Sequence, residues 1–429
     1  LRKKAYSVCV VDMLSAPGAG STAFSCGIVR CHYSTYHGVA LANESINCWS
    51  NWEDYLGTKD PRGIAAFHQC GVMFLLAPDW GVGSDQVAQL MEEVGVDMIR
   101  LSLEDLEQYY PYLDLAKKSP VRRANDPHFF DEDPGVRING AIYENQGGFV
   151  PDAALAAQNM FYAAEQNGVE GRFGHRVAEV LIEGDHASGV RLESGEAVES
   201  RVVLNASGPH SAKVNAMLGM KFKLGLSAVR HEVHFLKCPQ DIDLRAMPVF
   251  SDPDSGIYFR PDPPQGILLG SEDPPCDSDQ VVDPDDFITD TTDELYRNQI
   301  MRLKKRIPSI EVDNSDSKNK RTAVGVGDIA YDKSGFGALY DVCTADWYPI
   351  LDTTDVPGYY VAVGTSGGWF KGAPLIGLLV SELVDRVENG QDHETDPVTV
   401  KLPFSGNEID MSFYSRNREP HSTSMGVVG

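Results

Sequence analysis

The chain has 429 residues, and its 62 Asp and Glu outnumber its 37 Lys and Arg, which gives a formal net charge of −25. At about 100 to 200 residues per domain, this length predicts two or three domains, or one large domain with an insertion. The negative charge disfavours nucleic acid and anionic lipid as partners, and the lack of an apolar run of ~18 residues or of a secretory leader predicts a soluble cytoplasmic protein with no membrane span.

The first half of the chain predicts an α/β core with an antiparallel insertion. Residues 6–12 are rich in β-branched side chains and end in an acid, a pattern typical of a buried parallel strand followed by a glycine and serine loop. Pro151 and Asp152 suit the first turn of a helix, which is predicted to continue to Asn167. The other predicted elements are helices over 39–55, 86–96 and 103–109, a strand over 72–76, a β-meander over 176–198, a strand over 201–206 and a helix from 211 to 218.

The second half predicts a run of strands and then a return to α/β structure. A long helix is predicted over 283–306 and another over 373–387, preceded by a buried strand over 358–363. Residues beyond 389 are polar, so an extended or partly mobile tail is expected. The remaining predicted strands cover 229–236, 247–250, 256–259 and 266–270, with short strands near Tyr340 and Pro349.

Three loops of small residues, 18–22, 207–211 and 364–371, each follow a predicted strand. Backbone amides in such loops, together with the helix N-terminus behind them, can bind phosphate. Asp12 ends a strand where a ribose-binding acid would lie, although a turn residue is an equally good interpretation of this position. Three such loops on one sheet would indicate a dinucleotide cofactor.

Neither the cysteines nor the histidines predict a metal site. The eight cysteines are scattered without a C-x-x-C pair, as expected in a reduced compartment. His231 and His234 would lie on opposite faces of one strand, so we interpret them as structural residues.

Four stretches of sequence, in order along the chain, carry a family resemblance. They are VVD (10–12) with GST (20–22) and SCGIVR (25–30); GGFVP (147–151); VVLNASGP (202–209) with Ser211; and LYDV (339–342) and DWYPI (346–350) with GTSGGWFK (364–371). In these stretches the chain resembles the flavin-dependent oxidoreductases of the D-amino-acid oxidase and sarcosine oxidase superfamily. The G-x-G-x-x-G turn that begins such proteins is missing, and residues 1–4 resemble the end of the helix that follows it. Roughly 20 to 30 residues are therefore expected to be absent, or else this form binds flavin poorly.

The resemblance implies an α/β fold with two domains. A Rossmann-like FAD-binding domain, with a parallel sheet and the β-meander, would comprise residues 1–60, 140–222 and 322–390. A substrate-binding domain of α+β type, built on an antiparallel sheet, would comprise residues 61–139 and 223–321, and residues 391–429 would form a C-terminal extension.

The resemblance also implies noncovalent FAD. Ala338 or Leu339 occupies the region of the cysteine that attaches flavin in some relatives, Ser25 and Cys26 replace an attaching histidine, and Cys343 is near but offset. Glycines 367 and 368 would let the backbone approach the flavin ring, with an ordinary strand-to-helix turn as the alternative. The implied cofactor-binding residues are Asp12, Ser21, Thr22, Ser25, Cys26, Gly27, Val177, Ser207, Gly208, Gly364, Ser366, Gly367, Gly368, Trp369 and Lys371.

Arg30 and Lys371 fall where sarcosine oxidase-like enzymes place the cations that bind a substrate carboxylate, and Tyr258 matches a tyrosine of the substrate pocket. A surface ion pair is the alternative for Arg30, and an ordinary sheet residue is the alternative for Tyr258. Leu268 stands where sarcosine oxidases carry a lysine used in the reaction with oxygen, so either oxygen or another electron acceptor remains open.

The resemblance therefore implies an FAD-dependent amine or amino-acid oxidase or dehydrogenase. Its substrate would be an amino acid or an N-methylated secondary or tertiary amine, which would transfer hydride from its C–N unit to flavin N5 and give an imine that hydrolyses. No dedicated acid or base is evident. A 2-hydroxy acid or glycerol-phosphate dehydrogenase and a non-catalytic flavin-binding subunit are the alternatives, and the oligomeric state stays open.

Overall fold

The fold is organised by one large mixed sheet and several small sheets. The computed structural model describes residues 1, 4–131, 135–264, 266–277, 280–312 and 334–423, so the predicted domain boundary at residue 322 lies outside the described residues. The helices are α1 (Tyr36–Ser50), α2 (Trp52–Leu56), α3 (Gly81–Val94), α4 (Leu103–Tyr109), α5 (Ala153–Gln166), α6 (Ser211–Ala216), α7 (Asp293–Arg306) and α8 (Ala373–Glu388). Over the described ranges, no helix combines the length and the apolar character that crossing a membrane requires.

The strands account for most of the remaining regular structure. They are β1 (Cys9–Asp12), β2 (Ile28–Val29), β3 (Val72–Leu75), β4 (Met98–Leu101), β5 (Ala141–Glu144), β6 (Gly148–Phe149), β7 (Glu170–Phe173), β8 (Val177–Glu183), β9 (His186–Leu192), β10 (Ala197–Glu199), β11 (Val203–Asn205), β12 (Leu226–Lys237), β13 (Val249–Asp252), β14 (Ile257–Asp262), β15 (Gly266–Ser271), β16 (Gln280–Val281), β17 (Phe336–Cys343), β18 (Ile350–Asp352), β19 (Tyr359–Val363), β20 (Thr399–Lys401) and β21 (Glu408–Asp410). The predicted β-meander is the sheet β10-β9-β8.

Helix starts follow the local capping chemistry. Asp152 caps α5 by accepting the N–H of Leu155 at 2.8 Å, as the sequence predicts. Ser102 and Asp105 form a capping box at the start of α4. These short-range contacts explain why the predicted starts of α4 and α5 are confirmed.

The large sheet has the strand order β16-β12-β15-β14-β13-β3-β5-β4, with β17 also paired to β12. Successive side chains of a strand point to opposite faces, so both faces can be buried against different partners. One face packs against α7, and the residues of this core include Met73, Phe250, Phe259, Leu269, Tyr296, Ile300 and Leu303. The other face, which carries Phe74, Val249, Tyr258 and Leu268, faces the β2 segment and α1.

The parallel strands fall into two small sheets. β1 pairs with β7, and β11 pairs with β19, both in parallel. In the described part of the chain, β1 and β11 have no second partner, and Val10 and Leu204 on these strands are 38% and 37% exposed. The three predicted loops therefore follow strands of two separate sheets rather than one.

Several predicted elements differ from the structure. The helix predicted over 39–55 is interrupted at Asn51, and the one predicted over 86–96 is Gly81–Val94. The helix expected over 283–306 begins only at Asp293, because extended Thr292 caps it and residues 283–292 form a turn and loop that contain Pro284. The tail expected beyond 389 is folded up to residue 423. Its strands β20 and β21 bury Val400 and Ile409 against the core that contains α1 and α8.

A buried ion cluster joins α7 to the large sheet. Nε of Arg306 donates to Asp252 at 2.7 Å, and Nη2 donates to Asp254 at 3.0 Å. Arg306 also donates to the carbonyl of Asp114, and Asp254 accepts the N–H of Lys118 at 2.7 Å. The three charged side chains are fully buried, so each depends on the others for compensation.

We predict that Arg306→Met destabilises the protein by about 3–5 kcal/mol, because it leaves the buried carboxylates of Asp252 and Asp254 unpaired. Urea unfolding followed by tryptophan fluorescence would measure the change. Arg245→Met is the matched control: Arg245 is exposed and pairs with Asp243 at the surface, so its loss should change stability by less than about 1 kcal/mol. Equal unfolding midpoints for the two variants would contradict a structural role for the cluster.

Candidate active site

Asp341 on β17 connects two of the predicted loops. Its Oδ2 accepts the N–H of Gly364 at 2.6 Å and the hydroxyl of Ser211 at 2.8 Å, and its carbonyl accepts the N–H of Ser366. Burial raises the pKa of Asp341 to about 7, although these donors lower it in part. The third loop adjoins the same strand, because the ring of Phe24 lies 5.1 Å from that of Phe336. Asp341 lies in the LYDV stretch, but nothing in the sequence marks its role between the loops.

Several of the predicted nucleotide-binding residues lie at the ends of β1 and β11 or in the loops that follow these strands. Asp12 is exposed at the end of β1, and its Oδ1 accepts the N–H of Leu14 at 2.8 Å, so the turn interpretation of this residue is also satisfied. Ser207 is exposed, and Gly208 has φ +56°; apart from its chain neighbours, no described residue would lie within 4 Å of a Cβ added there. Half-buried Ser21 and Thr22 lie in the short helix after the first loop, and half-buried Val177 begins β8. The open glycine turn at Gly208, in the loop after a parallel strand, fits the phosphate part of a dinucleotide.

The glycines nearest the expected flavin ring have close protein neighbours. A Cβ on Gly367 would lie 2.5 Å from the ring of Tyr340, and one on Gly27 would lie 2.0 Å from the carbonyl oxygen of Val150. Trp369 is buried beside Tyr33, with ring centroids 5.2 Å apart. The aromatic ring that packs against Gly367, in the space left by its missing Cβ, is therefore that of Tyr340.

The neighbours of these glycines are held by local hydrogen bonds. Ser25 Oγ accepts the N–H of Gly27 at 3.1 Å, and Ser366 Oγ donates to the carbonyl of Gly364 at 3.0 Å. Cys26 is half-buried close to the Tyr258 hydroxyl. Cofactor contact by these residues remains a prediction from the resemblance.

Arg30 and Lys371 come together although they are far apart in sequence. Each is only 4% exposed, which rules out a surface ion pair for Arg30. The ammonium of Lys371 donates to the hydroxyl of Tyr33 at 3.0 Å and to the carbonyl of Gly368, and the guanidinium of Arg30 lies 4.8 Å from the Tyr33 ring centroid. Burial lowers the pKa of Lys371 well below its usual range, and the charge of Arg30 lowers it further. This pair forms a concentrated, buried positive region.

Two buried carboxyl groups near this region were missed in the sequence. Glu144 on β5 accepts the N–H of Cys31 at 2.8 Å, and Glu272 after β15 accepts the hydroxyl of Ser251 at 2.6 Å. Burial raises the pKa of Glu144 to about 7 and that of Glu272 to about 8, and Arg30 partly offsets both shifts. Strand β5 was not predicted, and Glu272 follows a predicted strand without any recognisable motif.

Tyr258 is buried on the sheet face that looks towards Arg30. Its ring crosses Gly270, where a Cβ would lie 2.2 Å from the Tyr258 ring. Burial raises the pKa of Tyr258 well above its usual range, and its hydroxyl neighbours Tyr340 and Cys26. Tyr258 is therefore an uncharged residue that lines this face of the sheet and carries a polar hydroxyl at its end.

The contacts of Cys343 and His231 indicate structural roles for both residues. The thiol of Cys343 is buried and donates to Asp346 Oδ1 at 3.3 Å, and burial raises its pKa to about 12, so the nucleophilic thiolate is disfavoured. His231 stacks on Tyr340 with centroids 4.1 Å apart and contacts Asp273 at 3.2 Å. No group of three potential metal ligands occurs among the residues whose positions are described.

Comparison with known proteins places these features in a family. A family model described as FAD dependent oxidoreductase matches residues 1–383, whereas no curated protein matches in sequence. The chain is similar in structure to L-proline dehydrogenase from P. horikoshii, with a TM-score of 0.72, 21% identity and coverage of 98% of this chain and 94% of that one.

Two further solved structures share the fold. Glycine oxidase from Geobacillus kaustophilus has a TM-score of 0.67 and 17% identity, with 92% of each chain covered. Iminodiacetate oxidase from Chelativorans sp. BNC1 has a TM-score of 0.61 and 15% identity, with 90% of each chain covered. Since the family match spans most of the sequence, the chain belongs to the family of FAD dependent oxidoreductases, and FAD is its cofactor.

Proposed function

We propose that the protein oxidises the C–N bond of an amino acid or N-methylated amine that carries a carboxylate, giving an imine that water hydrolyses. The observation that carries this proposal is the buried pair of cations, Arg30 and Lys371. The similar structures are named for proline, glycine and iminodiacetate, each of which has a carboxylate and an amine nitrogen.

A substrate carboxylate would compensate the buried positive charge. In the described residues, no carboxylate forms an ion pair with Lys371, whose ammonium contacts only the neutral oxygens of Tyr33 and Gly368. A guanidinium can bind a carboxylate through two parallel hydrogen bonds, and an ammonium adds a point charge. Arg30 and Lys371 would therefore hold the substrate by its carboxylate and fix the orientation of its α-carbon.

The sheet face beside the cations supplies the rest of the pocket. FAD, when bound, supplies the acceptor for the hydride that leaves the α-carbon. Tyr258 and Leu268 form a buried, largely apolar wall, which would exclude water from the reacting carbon. The buried, hydrogen-bonded thiol of Cys343 supports noncovalent attachment of FAD, so acid precipitation should release the flavin.

The first test is an anaerobic screen of the FAD-loaded protein. We expect bleaching of the visible flavin bands by at least one of glycine, N-methylglycine, L-proline or D-alanine, and none by 2-hydroxy acids or glycerol 3-phosphate. Repeating the measurement in air separates oxygen from other acceptors. Bleaching by a 2-hydroxy acid alone, or by none of these compounds, would overturn the proposal.

We predict that Arg30→Ala and Lys371→Ala each raise KM for the amino acid by roughly 10- to 100-fold, because each removes a charged hydrogen bond to the carboxylate. Steady-state kinetics with the corresponding amine that lacks a carboxylate provides an internal comparison. Lys223→Ala, which removes an exposed cation paired with Glu419, should leave KM unchanged. Unchanged KM in both site variants would exclude carboxylate binding by this pair.

Carboxylate binding should also depend on pH through Lys371. Burial and Arg30 lower the pKa of Lys371, whereas a bound carboxylate raises it, so above the pKa of the empty site binding takes up a proton. The Kd of isobutyrate should therefore rise with pH, by at most about tenfold per pH unit above the pKa of the empty site. Titration of the flavin spectrum measures this, and Lys371→Arg, whose side chain stays charged, should flatten the dependence. The same slope in Lys371→Arg would show that another group titrates.

A further inference from the structure

The carboxyl group of Glu272 is buried but only half satisfied. The residue is 7% exposed, and its Oε1 accepts the hydroxyl of Ser251 at 2.6 Å. Its Oε2 is also buried and has no hydrogen-bond partner among the described residues. Leaving a buried polar atom unpaired is unfavourable, so such an atom calls for an explanation.

Glu272 lies on the same sheet face as the proposed substrate pocket. Phe74, Ser251, Tyr258 and Gly270 are paired in one row across β3, β13, β14 and β15, so their positions share a face. The contact with Ser251 brings the Glu272 carboxyl onto this row. The guanidinium of Arg30 stands over the same row, 5.9 Å from the ring centroid of Phe74.

We propose that Glu272 is the catalytic residue that accepts a proton from the substrate nitrogen through Oε2 before oxidation. This inference rests on the proposed function, because it places the substrate carboxylate on Arg30 and Lys371 and the nitrogen towards Glu272. In this step the substrate ammonium loses one N–H proton to the carboxylate, which gives a neutral amine and a carboxylic acid and transfers no electrons. The freed nitrogen lone pair can then form the C=N bond when hydride leaves the α-carbon.

The charges around Glu272 suit this role. Burial raises its pKa to about 8, the Ser251 hydroxyl lowers it, the charge of Asp252 raises it, and Arg30 and the backbone N–H of Asp252 lower it. The charge of Asp252 is itself compensated by Arg306. Asp273, which follows Glu272 in the sequence, contacts His231 at 3.2 Å. With this pKa the ionised form predominates above about pH 8, and that form is a stronger base than an ordinary glutamate. General base catalysis typically contributes about 10²- to 10⁴-fold.

Glu144 is the other carboxylate near the cations, but its surroundings differ. Its Oε2 accepts the backbone N–H of Cys31, its Oε1 is buried and has no hydrogen-bond partner among the described residues, and both Arg30 and Lys371 lower its pKa against the effect of burial. Glu144 therefore balances the charge of the cation pair. Glu144 lies on β5, on the far side of β3 from the Ser251 and Tyr258 strands, whereas Glu272 bonds directly to Ser251.

The test compares Glu272→Gln with the wild type in the FAD-loaded full chain. Anaerobic flavin reduction is measured from pH 6 to pH 10 with the amino acid that bleaches the wild type fastest among glycine, N-methylglycine and L-proline. We expect Glu272→Gln to lower the second-order reduction rate by about 100-fold at pH 8, where about half of the wild-type Glu272 is a carboxylate, and to come closer to the wild type at pH 10, where more of the substrate is already the free amine. Binding of 2-aminoisobutyrate, which lacks an α-hydrogen, should weaken in the variant, whereas binding of isobutyrate should not.

Two comparisons separate the outcomes. Glu144→Gln is expected to show no recovery towards pH 10, because it removes a charge beside Arg30 and Lys371 rather than the proton acceptor, whereas Glu272→Asp should keep the wild-type shape of the profile at a lower rate. A loss in Glu272→Gln that does not diminish towards pH 10, or a recovery towards pH 10 in Glu144→Gln alone, would overturn the assignment while the proposed function stands. Failure of every amino acid to bleach the wild type would instead overturn the proposed function, and the assignment with it.

Discussion

Burial of two cations against one face of the large sheet is the constraint on which the site depends. Taking Arg30 and Lys371 out of water costs several kcal/mol per ion unless other groups compensate. The protein provides neutral oxygens from Tyr33, Gly368 and His32 and places Glu144 close by. Among the described residues, no carboxylate forms a direct ion pair with Lys371. A substrate carboxylate can therefore bind strongly to it.

The large sheet makes this arrangement stable because both of its faces are buried. One face is closed by α7, which the Arg306 cluster joins to the end of β13 and the turn after it. The other face carries Tyr258, Leu268 and Ser251 towards the site. Rigid strands therefore hold the polar groups of the site, while the hydrophobic core lies mainly behind them.

The loops that adjoin the site are held by β17. Asp341 accepts hydrogen bonds from Gly364 and Ser211, so that two loops from distant parts of the sequence share one carboxylate. The ring of Tyr340 occupies the space that the missing Cβ of Gly367 leaves open. One strand therefore supports the predicted cofactor loops and also contributes to the wall beside Tyr258.

The sequence by itself determined the local elements and the family, because caps, turns and apolar runs act over a few residues. Asp152 begins α5 as predicted, and the meander and the glycine loops follow from the same short-range signals. Only the tertiary structure decided which distant groups meet. The pairing of β5 with β3, the folding of residues 391–423 onto the core, and the contact between Ser251 and Glu272 depend on strands brought together across the chain. Burial then changes the protonation of Lys371 and Glu272, an effect of the surrounding low dielectric that no local pattern of residues encodes.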